Sequence, residues 1–291
     1  MKRLICACLF LCVYLSGCAI TAKQRDATET FGLATERVAR IGEEEFIAIR
    51  EGIIRMNEAL IVLDRSKTSL GLPFDDPAQA EATALRVSTC KSLRMYGDLL
   101  MRLASDDRSQ FVRRSALSFM DSVSETLDAD VTVEQEQAVN SIVVGFDTYW
   151  TETKRVKAIR DVVLAYEKVV NSLADRLLAD LSLDKSAPSS LQAYEAKALQ
   201  LQSAAGPIID AGSQHDLMER KKAVEAYFMA ENARIRAQQI GARIHDSILT
   251  LKKINTEIAS GLRGNSCNLQ DIKEYGRQIQ KISNVQQVLA R

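Results

Sequence analysis

Proline and glycine are scarce: four prolines and 13 glycines serve 291 residues. Sheets need frequent turn residues, so this shortage excludes a fold of many short strands. The prolines stand at only three places, Pro73 with Pro77, Pro188, and Pro207, and the chain between them is almost unpunctuated. Histidine is scarcer still. His215 and His245 are the only two; neither has a Glu-x-x-His or His-x-x-x-His neighbour, which removes the usual ligand geometry of metal sites in helical bundles. No Gly-x-Ser-x-Gly, phosphate-binding glycine loop or dinucleotide fingerprint occurs. The sequence therefore offers no candidate catalytic residue, no candidate metal ligand and no cofactor. Charge of either sign is also not in surplus, with 38 basic against 38 acidic residues, so nothing overall draws the chain to nucleic acid.

Local charge clusters do not change that reading. Glu43-Glu44-Glu45 spreads around a helix at about 100° per residue instead of converging, and reads as a solvated run. Asp75-Asp76 and Asp106-Asp107 read as helix caps. Arg113-Arg114 and Arg220-Lys221-Lys222 are too short for a nucleic-acid stripe and lack interleaved aromatics. Gly261-Leu262-Arg263-Gly264-Asn265 is a helix stop.

What is present begins at the first residue. Met1-Lys2-Arg3, the apolar run Leu4 to Leu15 and small residues before a cut site make the three parts of a secretory signal peptide. The run is shorter than the roughly 20 apolar residues that span a bilayer. Leu15-Ser16-Gly17-Cys18 behind such a run resembles the lipobox of bacterial lipoproteins. The resemblance covers only residues 1–18. It implies cleavage between Gly17 and Cys18, a lipid such as palmitate on the Cys18 thiol, and a chain held to the membrane through that anchor. Ala19, which is not Asp, implies by the same resemblance the outer membrane, with the protein facing the periplasm. Loss of residues 1–17 takes Lys2 and Arg3 with it, so 38 basic residues become 36 against 38 acidic.

Two cysteines remain outside the signal and anchor, Cys90 and Cys267. They are a candidate disulfide in an oxidising compartment, or two separate buried thiols.

Residues 18–28 read as the lipidated cysteine and a short tether, and residues 29–291 as one elongated helical-bundle domain. Phe31, Ala34, Val38 and Ile41, then Phe46, Ile49, Ile53, Met56, Leu60 and Leu63, make one helical stripe with a phase slip at Glu43–Glu45. After a break at Gly71–Pro77, a second helix turns Leu85, Leu93, Tyr96, Leu100 and Leu103 inward. A third segment carries Phe111, Val112, Phe119, Met120, Val123 and Leu127. Thr132 and Gln135 match a capping box. From that cap, a fourth segment, with its apolar stripe running from Val139 to Leu181, reads as one helix of about 50 residues, about 75 Å long. The fifth begins at Leu191, meets a kink or break between Ala204 and Gln214 at Gly206-Pro207, and resumes through Leu217, Val224, Tyr227, Ile235 and Ile244 to Leu262. A sixth runs from about Asn268. The fold class expected is all-α: an elongated up-and-down bundle of five to six long helical segments.

Three functions are compatible with these features. The first is a non-enzymatic, membrane-anchored envelope lipoprotein acting as a helical spacer or adaptor, meeting a protein partner or a copy of itself through its long faces. The second is a periplasm-facing bundle that holds a small apolar ligand near Pro207, with Tyr149, Trp150, Tyr166, Tyr194, Tyr227 and Phe228 as candidate lining or plain core. The third is an inhibitor of an envelope-acting enzyme, for which Leu70–Pro77 is the one apolar loop available.

Overall fold

The computed structural model describes residues 22–64, 74–105, 109–127, 131–145, 151–182, 188–211, 214–263 and 277. Among them the protein is all-α. The helices are α1 (Ala22–Leu63), α2 (Ala80–Ala104), α3 (Ser109–Leu127), α4 (Val133–Gly145), α5 (Glu152–Asp180), α6 (Ser190–Asp210), α7 (Leu217–Arg236) and α8 (Ala242–Leu262). A π turn, Ala237–Gly241, joins α7 to α8 without a break, so the eight helices make seven rods. Two rods run the length of the molecule: α1, with 42 residues and about 63 Å, and α7–α8, about 69 Å from Leu217 to Leu262.

α1 and α2 lie antiparallel, as do α2 and α3, α4 and α5, and α6 and α7, as short connections allow; α5 and α6 instead follow one another end to end, with Ser190 beside Asp180. Arg94 of α2 reaches back to Glu43 of α1 at 2.7 Å, and Arg50 of α1 meets Asp75 at 2.8 Å just before α2 begins. Further down, α1 and α2 touch backbone to backbone. A Cβ added at Gly97 would lie 2.5 Å from the Gly32 carbonyl oxygen and 2.6 Å from the Glu36 amide nitrogen; one added at Gly32 would lie 2.6 Å from the Gly97 carbonyl oxygen. Only glycine at both positions permits that crossing.

The apolar core falls into two clusters strung along the same rods. The first gathers Phe31, Val38 and Phe46 of α1 with buried residues of α2 to α5 and with Ile244, Leu251 and Ile258 of α8. Its centre is a tilted aromatic row, Tyr96–Phe119–Tyr166, with ring centroids 5.4 and 4.8 Å apart. The second gathers Ile49, Ile53, Met56 and Leu60 of α1 with α6 and α7.

Several expectations need correcting. Helix already occupies the second half of the proposed tether: α1 is described from Ala22, and Ala27 and Thr28 are buried in it. The fourth segment is not one rod. α4 ends at Gly145, and Thr151 starts α5 in an extended conformation, its hydroxyl accepting from the Lys154 amide. The Tyr166 hydroxyl donates to the Gln135 carbonyl, so α4 folds back along α5 as a hairpin. Its apolar spacing runs on across the turn because both arms bury a stripe of the same period. The capping box at Thr132 and Gln135 forms as expected, with reciprocal bonds of 2.9 and 3.3 Å.

Pro207 does not interrupt the fifth segment. It sits in the last turn of α6, the break falls at Ala211–Asp216, and α7 then returns antiparallel to α6, with Arg234 donating to Gln202. Of the stripe read from Leu217, Val224, Tyr227 and Ile235, only Tyr227 packs partly against the core; the other three are exposed. Ala223, Ala226, Ala230, Ala233 and Ala237 are buried at spacing 3, 4, 3, 4, against Leu191, Tyr194, Ala198, Leu201 and Ala205 of α6. Small side chains let these two helices approach closely, and a search for large apolar residues passes over them. Leu85 is 51% exposed, and Phe111 faces outward under the Arg102 guanidinium, 5.7 Å from its ring centroid. Gln79, not Asp76, occupies the cap position of α2 and makes no side-chain cap bond. Asp75 is held mainly by Arg50, and also by the Ala80 backbone N–H, which keep its carboxyl below the usual range. Asp106-Asp107 and the proposed sixth helix, apart from Arg277, lie outside the described residues.

Replacing Gly97 by Ala should lower the unfolding free energy by about 2–3 kcal/mol through backbone displacement, in spite of a helix-propensity gain of about 1 kcal/mol. Urea denaturation of the variant reads this directly; a raised midpoint would contradict the close crossing.

Candidate functional site

Where the two clusters meet, a carboxylate is buried. Glu45 lies on the inward face of α1 one turn from Ile41 and one from Ile49, and its side chain is fully inaccessible. Arg236 answers it from the last residue of α7: Nε donates to Oε1 at 2.9 Å and to Oε2 at 3.1 Å, and Nη2 donates to Oε2 at 2.7 Å. The carboxylate raises the guanidinium's affinity for its proton further. The acidic run is thus not wholly solvated as expected. Glu43 pairs with Arg94, Glu44 is exposed, and Glu45 is interior. The clue was its phase: Glu45 stands in register with the apolar stripe.

The π turn begins at the next residue. Here the long rod exchanges neighbours, leaving α6 for α5, and Leu191 fills the space beside Gly241, 2.5 Å from the position a Cβ would take. Tyr194 packs flat against Gly52 in the same layer, where a Cβ would meet its ring at 2.7 Å. A groove of about 400 Å³ opens here, lined by Gly52, Arg55, Tyr194, Met229, Asn232 and Arg236.

A larger cleft of about 900 Å³ lies at the tip, where α1 ends and α6 gives way to α7. Leu60, Leu63, Ala204, Ile208 and Met218 supply apolar wall, and His215, Asp216, Glu219 and Lys222 a polar rim. His215 Nδ1 is 3.1 Å from Glu219 Oε2, and Glu219 itself closes a capping box with Asp216. The histidine is tied to the start of α7 and points to no second ligand. His245 neighbours Asp246 on exposed α8 surface.

Polar groups inside the first cluster are organised for register. The Tyr96 hydroxyl donates to Asn255 Oδ1 at 2.8 Å, and the Asn255 amide donates to Asn171 and to the Glu167 carbonyl. Ser92, Ser122 and Thr126 form a hydroxyl cluster between α2 and α3, joined at its edge by Ser88. Burial pushes the Tyr96 hydroxyl well above its ordinary range and those of Tyr166 and Tyr194 to about 12.

Cys90 is buried and unbridged beside Gly42, and burial pushes its thiol up. Its proposed partner Cys267 lies outside the described residues, as do Gly17 and Cys18, and Phe146, Tyr149 and Trp150. Tyr227 and Phe228 line neither opening. Among the described residues no three His, Cys, Asp or Glu side chains converge as a metal group would, and no helix is long and apolar enough to cross a membrane. No family model matches the chain, and no curated protein or solved structure is significantly similar to it.

Arg236→Leu leaves Glu45 charged and uncompensated, and should cost about 3 kcal/mol at neutral pH. Adding Glu45→Leu should recover part of it, and denaturant titration of the three proteins measures both effects. The tyrosines set an alkaline limit. Their folded values lie above the ordinary value near 10, so their contribution is whole below pH 10 and is lost as pH rises from there through 12. The share of tyrosinate absorbance belonging to Tyr96, Tyr166 and Tyr194, read by difference from variants with the other four of the seven tyrosines replaced by Phe, should appear together with loss of helical circular dichroism; ionisation of these three that precedes unfolding would overturn this.

Proposed function

We propose that this chain is a lipid-anchored envelope protein without enzymatic activity, a helical spacer and adaptor held at the outer membrane through Cys18 and facing the periplasm. The observation that carries this reading is the pair of rods spanning the molecule. α1, described from Ala22, runs about 63 Å to the tip. A protein tethered at Cys18 would hold its tip and long faces far from the lipid surface. Two or more acyl chains anchor stably where one is marginal.

The cleft beside Pro207 favours a second reading, a small apolar ligand held between α1, α6 and α7. A bound ligand would raise the melting temperature, and the purified protein would carry extractable lipid-like molecules into organic solvent. For the inhibitor alternative only Phe74–Pro77 of the apolar loop is described; Phe74 is half exposed, and Asn57 holds its carbonyl and that of Asp76.

Labelled palmitate should enter the wild-type protein in cells and not the Cys18→Ser variant, and the variant should leave the membrane fraction. In-cell crosslinking of the wild type, followed by mass identification, should then recover a specific protein. Wild-type protein found mostly in the soluble periplasm, or crosslinks to nothing, would sink the anchored-adaptor reading.

A further inference from the structure

α7 has two stripes. The alanines face α6, and Arg236 on one flank faces α1. Leu217, Val224, Phe228 and Ile235 fall within an arc of about 40° on the opposite side at 100° per residue. They are 82, 38, 57 and 37% exposed. Four apolar side chains in line on one outer face are not the scattered apolar residues of an ordinary surface. Lys221 and Glu231, both exposed, complete the line, so that 217, 221, 224, 228, 231 and 235 follow one another at 4, 3, 4, 3, 4, the spacing of a coiled-coil seam.

The order of these six residues is symmetric about Ala226. Laid antiparallel on itself about that point, the stripe sets Leu217 against Ile235, Val224 against Phe228 and Lys221 against Glu231, each pair occurring twice. Laid parallel, it sets Lys221 on Lys221 and Glu231 on Glu231. We infer that this face of α7 docks a second copy of the chain, antiparallel, with Lys221 of each copy against Glu231 of the other. Self-complementarity of one patch is what a two-fold interface demands, and here it includes charge sign, apolar size and heptad register together. The competing contact within one helix is weak: Lys221 approaches Glu225 at 3.9 Å, and both side chains are more than 60% exposed. The inference rests on the adaptor reading and names one of its partners as the protein itself.

The test is sedimentation equilibrium of the full-length lipidated chain in non-ionic detergent. Wild type should dimerise in about the micromolar range expected of a small helix-pair contact. Lys221→Glu and Glu231→Lys should each weaken the dimer about tenfold or more, because each puts two like-charge contacts into the seam. The double exchange should restore it to within about threefold. Both positions are exposed, so melting of the dilute proteins should not move. A wild type monomeric to about 100 µM, or a double exchange as weak as the singles, overturns self-pairing. If that monomer is nonetheless crosslinked in cells to another protein through Phe228, self-pairing fails and the adaptor reading stands. If it is crosslinked to nothing, both fail.

Discussion

One ion pair decides how the two halves of this molecule are joined. Glu45 is the only carboxylate among the described residues whose side chain is completely inaccessible and which has a cation in contact. An uncompensated charge there would cost several kcal/mol, so the fold must bring Arg236 to it. That requirement fixes α7 against α1 both in height and in rotation. With Arg236 pinned, the π turn has to begin beside it. Below the turn α8 lies against α5, and above it α7 lies against α6. Two apolar clusters that could each tolerate slippage along a uniform helical surface are thereby locked to a common register. A buried pair of this kind adds little net stability compared with packed apolar side chains; its effect here is on which arrangement is chosen.

The same logic explains how much could be read from sequence. Fold class, the stripe of α1, the core faces of α2 and α3 apart from Leu85 and Phe111, and the Thr132 capping box were legible, since large apolar residues at helical spacing and a local cap signal need no tertiary knowledge. Two hairpins were not. Between Gly145 and Thr151, and between Ala211 and Asp216, the chain reverses while the apolar period continues, so spacing alone reads two antiparallel arms as one long helix. A break was expected between Ala204 and Gln214 and falls at the end of that window, past Pro207, because proline in the last turn of a helix gives up a single hydrogen bond, and α6 closes that turn with Ala211 bonded to the Pro207 carbonyl; what spacing did not show is that the chain reverses there. Glu45 was misread for a different reason. Three acidic residues in a row look alike in sequence, and only its phase against Ile41 and Ile49 separates the buried one from its neighbours.

Small residues are the second organising device. Gly32 with Gly97 draws α1 onto α2, and the alanine stripe of α7 draws it onto α6. Close approach through small side chains leaves large ones with nowhere to go but outward. Leu217, Val224, Phe228 and Ile235 of α7 are therefore outside because its core face is filled by alanine, with Tyr227 and Met229 packed at its flanks. Helices in which small residues face in and Leu, Val, Phe and Ile face out invert the usual amphipathic arrangement, and an inverted helix has surface to cover.

The geometry also constrains what any coat on that surface does to the whole. The stripe occupies the α7 half of the long rod, toward the tip and away from the end where α1 begins. A contact symmetric about Ala226 would overlap two molecules only along α7, with their α8 halves pointing in opposite directions. The assembly would be longer than either molecule, and the starts of the two α1 helices would face away from each other. Two chains anchored in one membrane could therefore pair in this way only with their long axes laid along its surface, so the antiparallel register bears on how a tethered rod would be oriented as well as on how it pairs.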